Sequence, residues 1–211
     1  MCMERALAKH KKRLFGSLRC TIRSESVIKA MEQVPRERFV PPEVRCEAYL
    51  DSPLGIGEGQ TISQPYIVAL MLEALELRGW ERVLEVGTGS GYQAAVLSLM
   101  LPQGNVITVE LLPGLAERAG KLLQDLGHTN VTVVRAGPIL GCPDQSLFDA
   151  IIVAAACPKL PESLIAQLSV GGRLIIPVGT LEQQELVHAV RTDEGLPVRM
   201  MGGCRFVPLL D

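Results

Sequence analysis

The ten residues V-L-E-V-G-T-G-S-G-Y, positions 83–92, decide the fold of this chain. Their apolar start predicts a buried β-strand, their three glycines predict a turn that lets a ligand approach the backbone, and residues 93–101 predict a helix. A strand, a glycine turn and a helix N-terminus together form a nucleotide-binding corner. A dinucleotide fingerprint needs its third glycine at position 92, where Tyr92 stands, so the spacing disfavours a nicotinamide or flavin site.

From Arg82 onward, apolar strands alternate with helical patterns. Strands are predicted at 83–86, 105–109, 131–134, 150–153 and 173–178, further strands at 185–191 and 198–206, and helices at 65–77, 93–101, 115–126 and 160–168. Continuous apolar strands separated by helices indicate a parallel sheet that is covered on both faces. We therefore expect an α/β, Rossmann-like, doubly wound and mostly parallel sheet with helices on both faces.

An N-terminal helical extension over residues 1–48 precedes the predicted main domain, residues 49–211, and the two are expected to form one structural unit. Ser24 is a candidate N-cap for a helix whose apolar face includes Val27 and Met31. Residues 51–64 are rich in turn residues and predict a loop. Pro65 suits the first turn of the following helix.

The composition excludes several classes of protein. A formal charge of −2 gives no reason to expect nucleic acid or an acidic membrane as a partner, and the basic run 9–13 is typical of the solvated face of a helix. The chain has no apolar run of membrane-spanning length and no secretory signal pattern. Its six cysteines form no C-x-x-C pair and suit free thiols in a cytoplasmic protein without a metal site.

The form E-x-G-x-G-x-G resembles the S-adenosylmethionine loop of Rossmann-like methyltransferases. Gly87 and Gly89 permit close backbone approach, and Glu110, which ends the second strand, is placed to accept hydrogen bonds from ribose hydroxyls. The alternative for the glycines is a plain tight turn, and the alternative for Glu110 is an acid on the protein surface. The expected cofactor-binding residues are Glu85, Gly87, Thr88, Gly89, Ser90, Glu110 and Leu111. Glu85 could instead cap amides of the loop.

Several further segments resemble the protein-L-isoaspartate O-methyltransferase family from about residue 20 to the end of the chain. They are VPRERFVP at 34–41, AY at 48–49, GQTISQP at 59–65, EVGTGSGYQ at 85–93, FDAIIV at 148–153 and RFVPL at 205–209. The 60–65 segment and the C-terminal segment are far more specific than the glycine loop. The resemblance implies methyl transfer from S-adenosylmethionine to the free α-carboxylate of L-isoaspartyl residues in damaged proteins and peptides, which initiates their repair.

The resemblance also implies the roles of the substrate-site residues. Ser63 would hydrogen-bond the reacting carboxylate, although it could instead, or as well, cap the helix before Pro65. Gln60 and Thr61 would shape the substrate pocket, or merely hold the loop. No strong general base is required, because a carboxylate is already anionic at neutral pH.

Ile62 and Val207 would line the pocket walls, and they could equally be ordinary core residues. Arg205 would help to hold the substrate chain, with a surface salt bridge as the alternative. A monomer is expected.

The segment after the third strand departs from the family pattern. Members of the family have Gly-Asp-Gly there, with the aspartate on the adenine amino group, whereas this chain has Ala136, Gly137 and Pro138. One hypothesis is a working repair methyltransferase with altered cofactor affinity. A second is a catalytically silent or attenuated relative that binds isoaspartyl peptides or another protein partner. A third and weaker hypothesis is a methyltransferase for a different carboxylate or small molecule.

Overall fold

The computed structural model describes residues 2–210. Met1 of the predicted N-terminal extension and Asp211 of the predicted main domain lie outside the described residues. The side chains of residues 2–5, including the Cys2 thiol, also lie outside the described part of the chain. No helix within 2–210 is both long enough and apolar enough to cross a membrane.

One large sheet organises the chain. The strands are β1 Leu54–Gly57, β2 Gln60–Ile62, β3 Arg82–Val86, β4 Asn105–Glu110, β5 Val131–Arg135, β6 Phe148–Val153, β7 Leu168–Gly179, β8 Gln184–Val190 and β9 Val198–Cys204. Seven of them form the sheet in the order β5-β4-β3-β6-β7-β8-β9. Strands β3 to β7 pair in parallel, and β8 and β9 add on in antiparallel fashion. The predicted α/β, mostly parallel sheet is confirmed.

Helices cover both faces of this sheet. They are α1 Cys2–Leu18, α2 Glu25–Gln33, α3 Pro65–Ala74, α4 Tyr92–Met100, α5 Pro113–Asp125 and α6 Glu162–Ala166. Successive strand residues point to opposite faces, so Val83 joins one buried cluster with α2 to α4, whereas Leu84 joins another with α6. The chain order reverses at β3, and the crevice at the carboxyl end of such a switch point is where doubly wound sheets bind ligands.

The N-terminal helices share the core of the sheet. The oxygen of the Ser24 side chain accepts a hydrogen bond from the backbone N–H of Val27 at 3.4 Å, which confirms the predicted N-cap of α2. The fully buried Val27, Ile28 and Met31 of α2 belong to the same apolar cluster as Val83 of β3. The packing of α2 thus ties residues N-terminal to position 48 to the sheet.

The prediction of a loop at 51–64 was wrong in part, because β1 and β2 form an antiparallel hairpin there. Gly57 pairs with Gln60, and the two residues between them, Glu58 and Gly59, have φ of 53° and 73°. Positive φ at both central positions is the signature of a type I′ turn, whose twist matches that of the flanking strands. The strands are short, so periodicity did not reveal them.

The predicted helix 160–168 was too long. Helix α6 covers only Glu162–Ala166, because Leu168 already pairs with Phe148 as the start of β7. Strand β7 is correspondingly longer than the predicted 173–178, and it contains the glycines at 171 and 172 that were expected to precede it. Helix α3 begins at Pro65 as predicted and ends at Ala74 rather than 77, and β9 ends at Cys204 rather than 206.

Candidate active site

A cavity of about 320 Å³ lies at the carboxyl ends of β3 and β4. It brings together every site residue predicted from the sequence except one. The predicted residues that line it are Gln60, Thr61, Ile62, Ser63, Glu85, Gly87, Thr88, Gly89, Ser90, Glu110, Leu111 and Val207. Arg205 is exposed, does not line the cavity, and forms no ion pair within the described part of the chain.

The glycine loop is held against β4 by its own backbone. The N–H groups of Gly87 and Thr88 both donate to the carbonyl of Val109, at 2.9 and 3.2 Å. Gly87 has φ of +92°, and a Cβ there would lie 3.5 Å from the Cβ of Ala154. Gly91 precedes α4 with φ of +85°, and a Cβ there would come within 3.2 Å of Ala119. Glycine therefore lets the loop pack closely while leaving its cavity side open.

A buried carboxyl lies beneath this loop. Glu85 has no exposed surface, and burial raises its pKa to about 8, with the nearby Glu110 charge acting in the same direction. The Thr108 hydroxyl donates to Glu85 Oε2, so the Thr88 hydroxyl, 2.7 Å from Thr108 Oγ1, must donate to Thr108. This chain of hydrogen bonds fixes one carboxyl oxygen of Glu85 and leaves Oε1 without a partner.

Glu110 ends β4 with a carboxylate held by two backbone amides. Its Oε2 accepts from the N–H of Gly89 at 2.8 Å, and its Oε1 accepts from the N–H of Leu112 at 3.0 Å. A carboxylate offers about four acceptor positions, so two remain for a ligand. The alternative of a plain surface acid is wrong, because Glu110 is buried and lines the cavity.

Ser63 lies at the junction of β2 and α3. The N-cap of α3 is Gln64, so the alternative reading of Ser63 as the N-cap is wrong. Asp51 binds this turn instead, accepting from the N–H of Tyr66 at 2.8 Å and from the Gln64 amide at 3.0 Å. Within residues 2–210 the Ser63 hydroxyl has no hydrogen-bond partner, although Ser63 lines the cavity. It is therefore available to a ligand.

The opposite end of the cavity is apolar. Ala136, Gly137, Pro138, Ile139 and Leu140 line it, and none of them carries a polar side chain. A buried amide holds this segment, because Gln167 accepts from the N–H of Cys142 at 2.7 Å and donates to the carbonyl of Leu140 at 2.8 Å.

The chain's C-terminal segment closes one side of the cavity. The N–H of Ala156 donates to Val207, and the N–H of Leu209 donates back to Ala156, at 2.8 and 2.9 Å. The buried Gln184 side chain bonds both backbone polar groups of Phe206, accepting from its N–H at 2.7 Å and donating to its carbonyl at 3.1 Å. These bonds place Val207 on the cavity wall.

Some cavity residues were not predicted from the sequence. Gln93 and Tyr92 follow the glycine loop directly, and their position at the first turn of α4 could have signalled a ligand contact. Leu209 belongs to the C-terminal segment that resembles the family, but neither Leu209 nor Leu210 was predicted as a site residue. Their place in the site depends on the long-range pairing of Leu209 with Ala156.

The cavity has donors and acceptors suited to S-adenosylmethionine. Glu85 Oε1 and Gln93 Nε2 are buried without partners, so they would serve the charged amino-acid end of that cofactor. The free acceptor positions of Glu110 would take the ribose hydroxyls, and the apolar end would take the adenine ring. Gly87 would let the cofactor lie against the backbone.

Comparisons with known proteins agree with this arrangement. A curated relative, protein-L-isoaspartate O-methyltransferase 1 of Syntrophobacter fumaroxidans, is 50% identical over 189 residues, which is 90% of this chain and 87% of that protein. The protein-L-isoaspartate O-methyltransferase of Roseiflexus sp. is 52% identical over 189 residues, 90% of this chain and 86% of the relative.

Solved structures agree as well. A protein-L-isoaspartate O-methyltransferase superposes with a TM-score of 0.86 and 32% identity, over 95% of this chain and 66% of that one. A Plasmodium falciparum protein described as a protein-L-isoaspartate O-methyltransferase was crystallised with S-adenosyl-L-homocysteine. It superposes with a TM-score of 0.83 and 28% identity, over 95% of this chain and 98% of that one.

The fold and the cavity define an S-adenosylmethionine-dependent methyltransferase. The model of the protein-L-isoaspartate(D-aspartate) O-methyltransferase family matches residues 9–211, and the chain belongs to that family.

Proposed function

We propose that this protein transfers a methyl group to the free α-carboxylate of L-isoaspartyl residues in damaged proteins and peptides, as the first step of their repair. Family membership supports this reaction. The observation that carries it is the uncommitted hydroxyl of Ser63, which lines one cavity with the glycine loop and Glu110. A repair enzyme needs a donor for a carboxylate oxygen next to a methyl-donor site, and this cavity offers both.

The chemistry demands little of the protein. When bound, S-adenosylmethionine supplies an electrophilic methyl group. The acceptor carboxylate is already ionised at neutral pH, so no proton has to be removed. Among the described residues, no histidine lines the cavity, and burial raises the pKa of the Glu85 carboxyl to about 8, which favours its neutral form. We therefore assign no general base.

Positioning accounts for the catalysis that we propose. Ser63 donates a hydrogen bond to one carboxylate oxygen and leaves the other free to attack in line. Gln60 and Thr61 border the same part of the cavity and contact the substrate backbone. Ile62 and Val207 supply apolar walls that exclude water from the reacting atoms.

Arg205 keeps a proposed role in substrate binding despite its place outside the cavity. It is exposed and has no ion-pair partner within residues 2–210, so it is free to contact a protein substrate that extends beyond the cavity mouth. Only Phe206 separates it in sequence from Val207 on the cavity wall. An arginine at such a rim suits carbonyl or carboxylate groups of the substrate chain.

The enzyme is further proposed to act as a cytoplasmic monomer without nucleic-acid or membrane partners. The formal charge of −2 supports the absence of both kinds of partner. Size-exclusion chromatography with light scattering gives the oligomeric state, and a mass near 23 kDa is expected for the 22.9 kDa chain.

Calorimetric titration of the purified protein with S-adenosylhomocysteine is the first test. Micromolar or tighter binding is expected, followed by methylation of an isoaspartyl peptide but not of the same peptide with ordinary aspartate. Binding without methylation would identify a catalytically silent relative. The absence of binding in a folded sample would contradict the proposed activity.

A further inference from the structure

Arg36 is a fully buried cation that forms no salt bridge within residues 2–210, and the carboxylate that acts on its charge is that of the exposed Asp51. Its side chain has no exposed surface. Its Nη1 also lacks a hydrogen-bond partner. A buried charge is costly unless it is compensated, and burial accordingly lowers the pKa of Arg36. Arginine nevertheless stays protonated in proteins, so the positive charge remains in place.

The contacts of this guanidinium converge on the proposed substrate end of the cavity. Nη2 donates to the backbone carbonyl of Ser63 at 2.8 Å, and Nε donates to the carbonyl of Ala48 at 2.8 Å. The guanidinium carbon lies 4.8 Å from the centre of the Tyr92 ring, at the start of α4. Arg36 thus connects the segment that carries Ser63 with the helix that follows the glycine loop.

The charges that line the cavity make this position informative. Among the described lining residues, only Glu85 and Glu110 carry a carboxyl group, and none carries a basic side chain. A carboxylate acceptor entering this cavity would face Glu110 without a lining cation to offset it. Arg36 lies just behind the wall, hydrogen-bonded to Ser63, and low-dielectric surroundings strengthen its field there.

We propose that Arg36 is a positioning residue that makes the Ser63 end of the cavity selective for an anionic acceptor. It fixes the Ser63 backbone through the carbonyl, and its charge favours a carboxylate over a neutral group beside the Ser63 hydroxyl. It does not line the cavity and acts through Ser63 and through its field. This inference rests on the proposed function and adds the source of its selectivity for a carboxylate.

Two peptides that differ in one group test the proposal. One carries an isoaspartyl residue with its free α-carboxylate, and the other carries the primary amide of that carboxyl, which is neutral and nearly the same size. Their dissociation constants are measured by calorimetry on the full chain saturated with S-adenosylhomocysteine. The ratio of the two constants within one sample does not depend on the fraction of protein that is correctly folded.

The wild type is expected to bind the acid at least ~10-fold more tightly than the amide. Arg36→Met and Arg36→Gln should reduce that preference to below ~3-fold, and Arg36→Lys should retain most of it because the charge stays. Two neutral variants are used because Gln can keep one carbonyl hydrogen bond where Met cannot. In Arg36→Lys the kcat for methyl transfer should fall, because the paired hydrogen bonds from Arg36 to the carbonyls of Ser63 and Ala48 are lost.

Arg38→Met is the matched control. Arg38 is exposed and only two residues away, so its removal should leave the wild-type preference unchanged. Neutral Arg36 variants that keep the full preference would overturn the proposal, and so would an equal loss of peptide and S-adenosylhomocysteine affinity, which indicates a structural role. A wild type that methylates the acid without preferring it to the amide would overturn this inference alone. A wild type that neither binds nor methylates the acid would overturn the proposed function as well.

Discussion

The two ends of the cavity are built on opposite principles. At the Ser63 end, a buried cation and a carboxylate hold the wall, because Arg36 bonds the Ser63 carbonyl and Asp51 binds the next turn. At the other end, the neutral amide of Gln167 holds a segment whose cavity-lining side chains are all apolar. Charge is therefore available at the end where we propose that the methyl acceptor binds, whereas an adenine ring at the other end would meet apolar side chains and backbone groups only.

Glu110 lines the same cavity, and its removal is expected to have the largest effect on ligand affinity. Glu110→Ala should lower S-adenosylhomocysteine affinity by about 100-fold, because a charged acceptor is lost and the N–H groups of Gly89 and Leu112 lose their partner. Calorimetry measures the change. Glu117→Ala, an exposed acid on α5, is the control. Unchanged affinity in Glu110→Ala would remove Glu110 from the cofactor site.

Ser63→Ala sharpens the comparison at the substrate end. The kcat for an isoaspartyl peptide should fall by roughly 10- to 30-fold through loss of one hydrogen bond to a charged group, whereas S-adenosylhomocysteine affinity should stay within about twofold. Steady-state kinetics and calorimetry give the two values. The exposed Ser17 of α1, changed to alanine, serves as the reference. A parallel loss of both quantities would mean that Ser63 is structural.

Gly137→Asp would break the comparison by placing an acceptor at the apolar end. A Cβ at Gly137 meets nothing within 4 Å, so the fold should tolerate the change. Affinity for S-adenosylhomocysteine should rise by up to about 10-fold, and affinity for the inosine analogue, which lacks the amino group, should not. Gly137→Asn provides a neutral control. Equal gains in affinity for both ligands would show that the new side chain does not hydrogen-bond the adenine amino group.

The last prediction concerns the pH dependence of stability rather than ligand affinity. Because the folded pKa of Glu85 is raised to about 8, the folded state holds a proton that the unfolded state releases near pH 4.5. Glu85 therefore makes stability fall as pH rises through this window and level off above about pH 8, by on the order of 1 kcal/mol per unit.

Glu85→Gln should flatten that dependence. Denaturant unfolding of both proteins at pH 6, 7 and 9 measures it, and Glu162→Gln, an exposed change, controls for general charge effects. Identical slopes for the wild type and Glu85→Gln would mean that Glu85 is ionised in the folded protein.

Much of this site could be predicted from the sequence, because its residues lie at the ends of predicted strands. Gly87 follows β3 and Glu110 ends β4, and parallel neighbours bring such ends to one edge. Arg205 illustrates the limit of prediction from sequence, because it is close to Val207 in the chain and yet does not line the cavity. The error at 160–168 has a similar origin, because pairing of Leu168 with Phe148 overrides local helical preference.

The sequence by itself determined the class of fold, the family and the glycine loop, because these depend on local periodicity and on short ordered motifs. Only the tertiary structure decided that the Ser63 hydroxyl is free, that Glu85 is buried and that Arg36 grips Ser63. It also decided the hairpin of β1 and β2 and the place of Leu209 on the cavity wall. These features depend on contacts between residues far apart in the chain, which carry no local pattern.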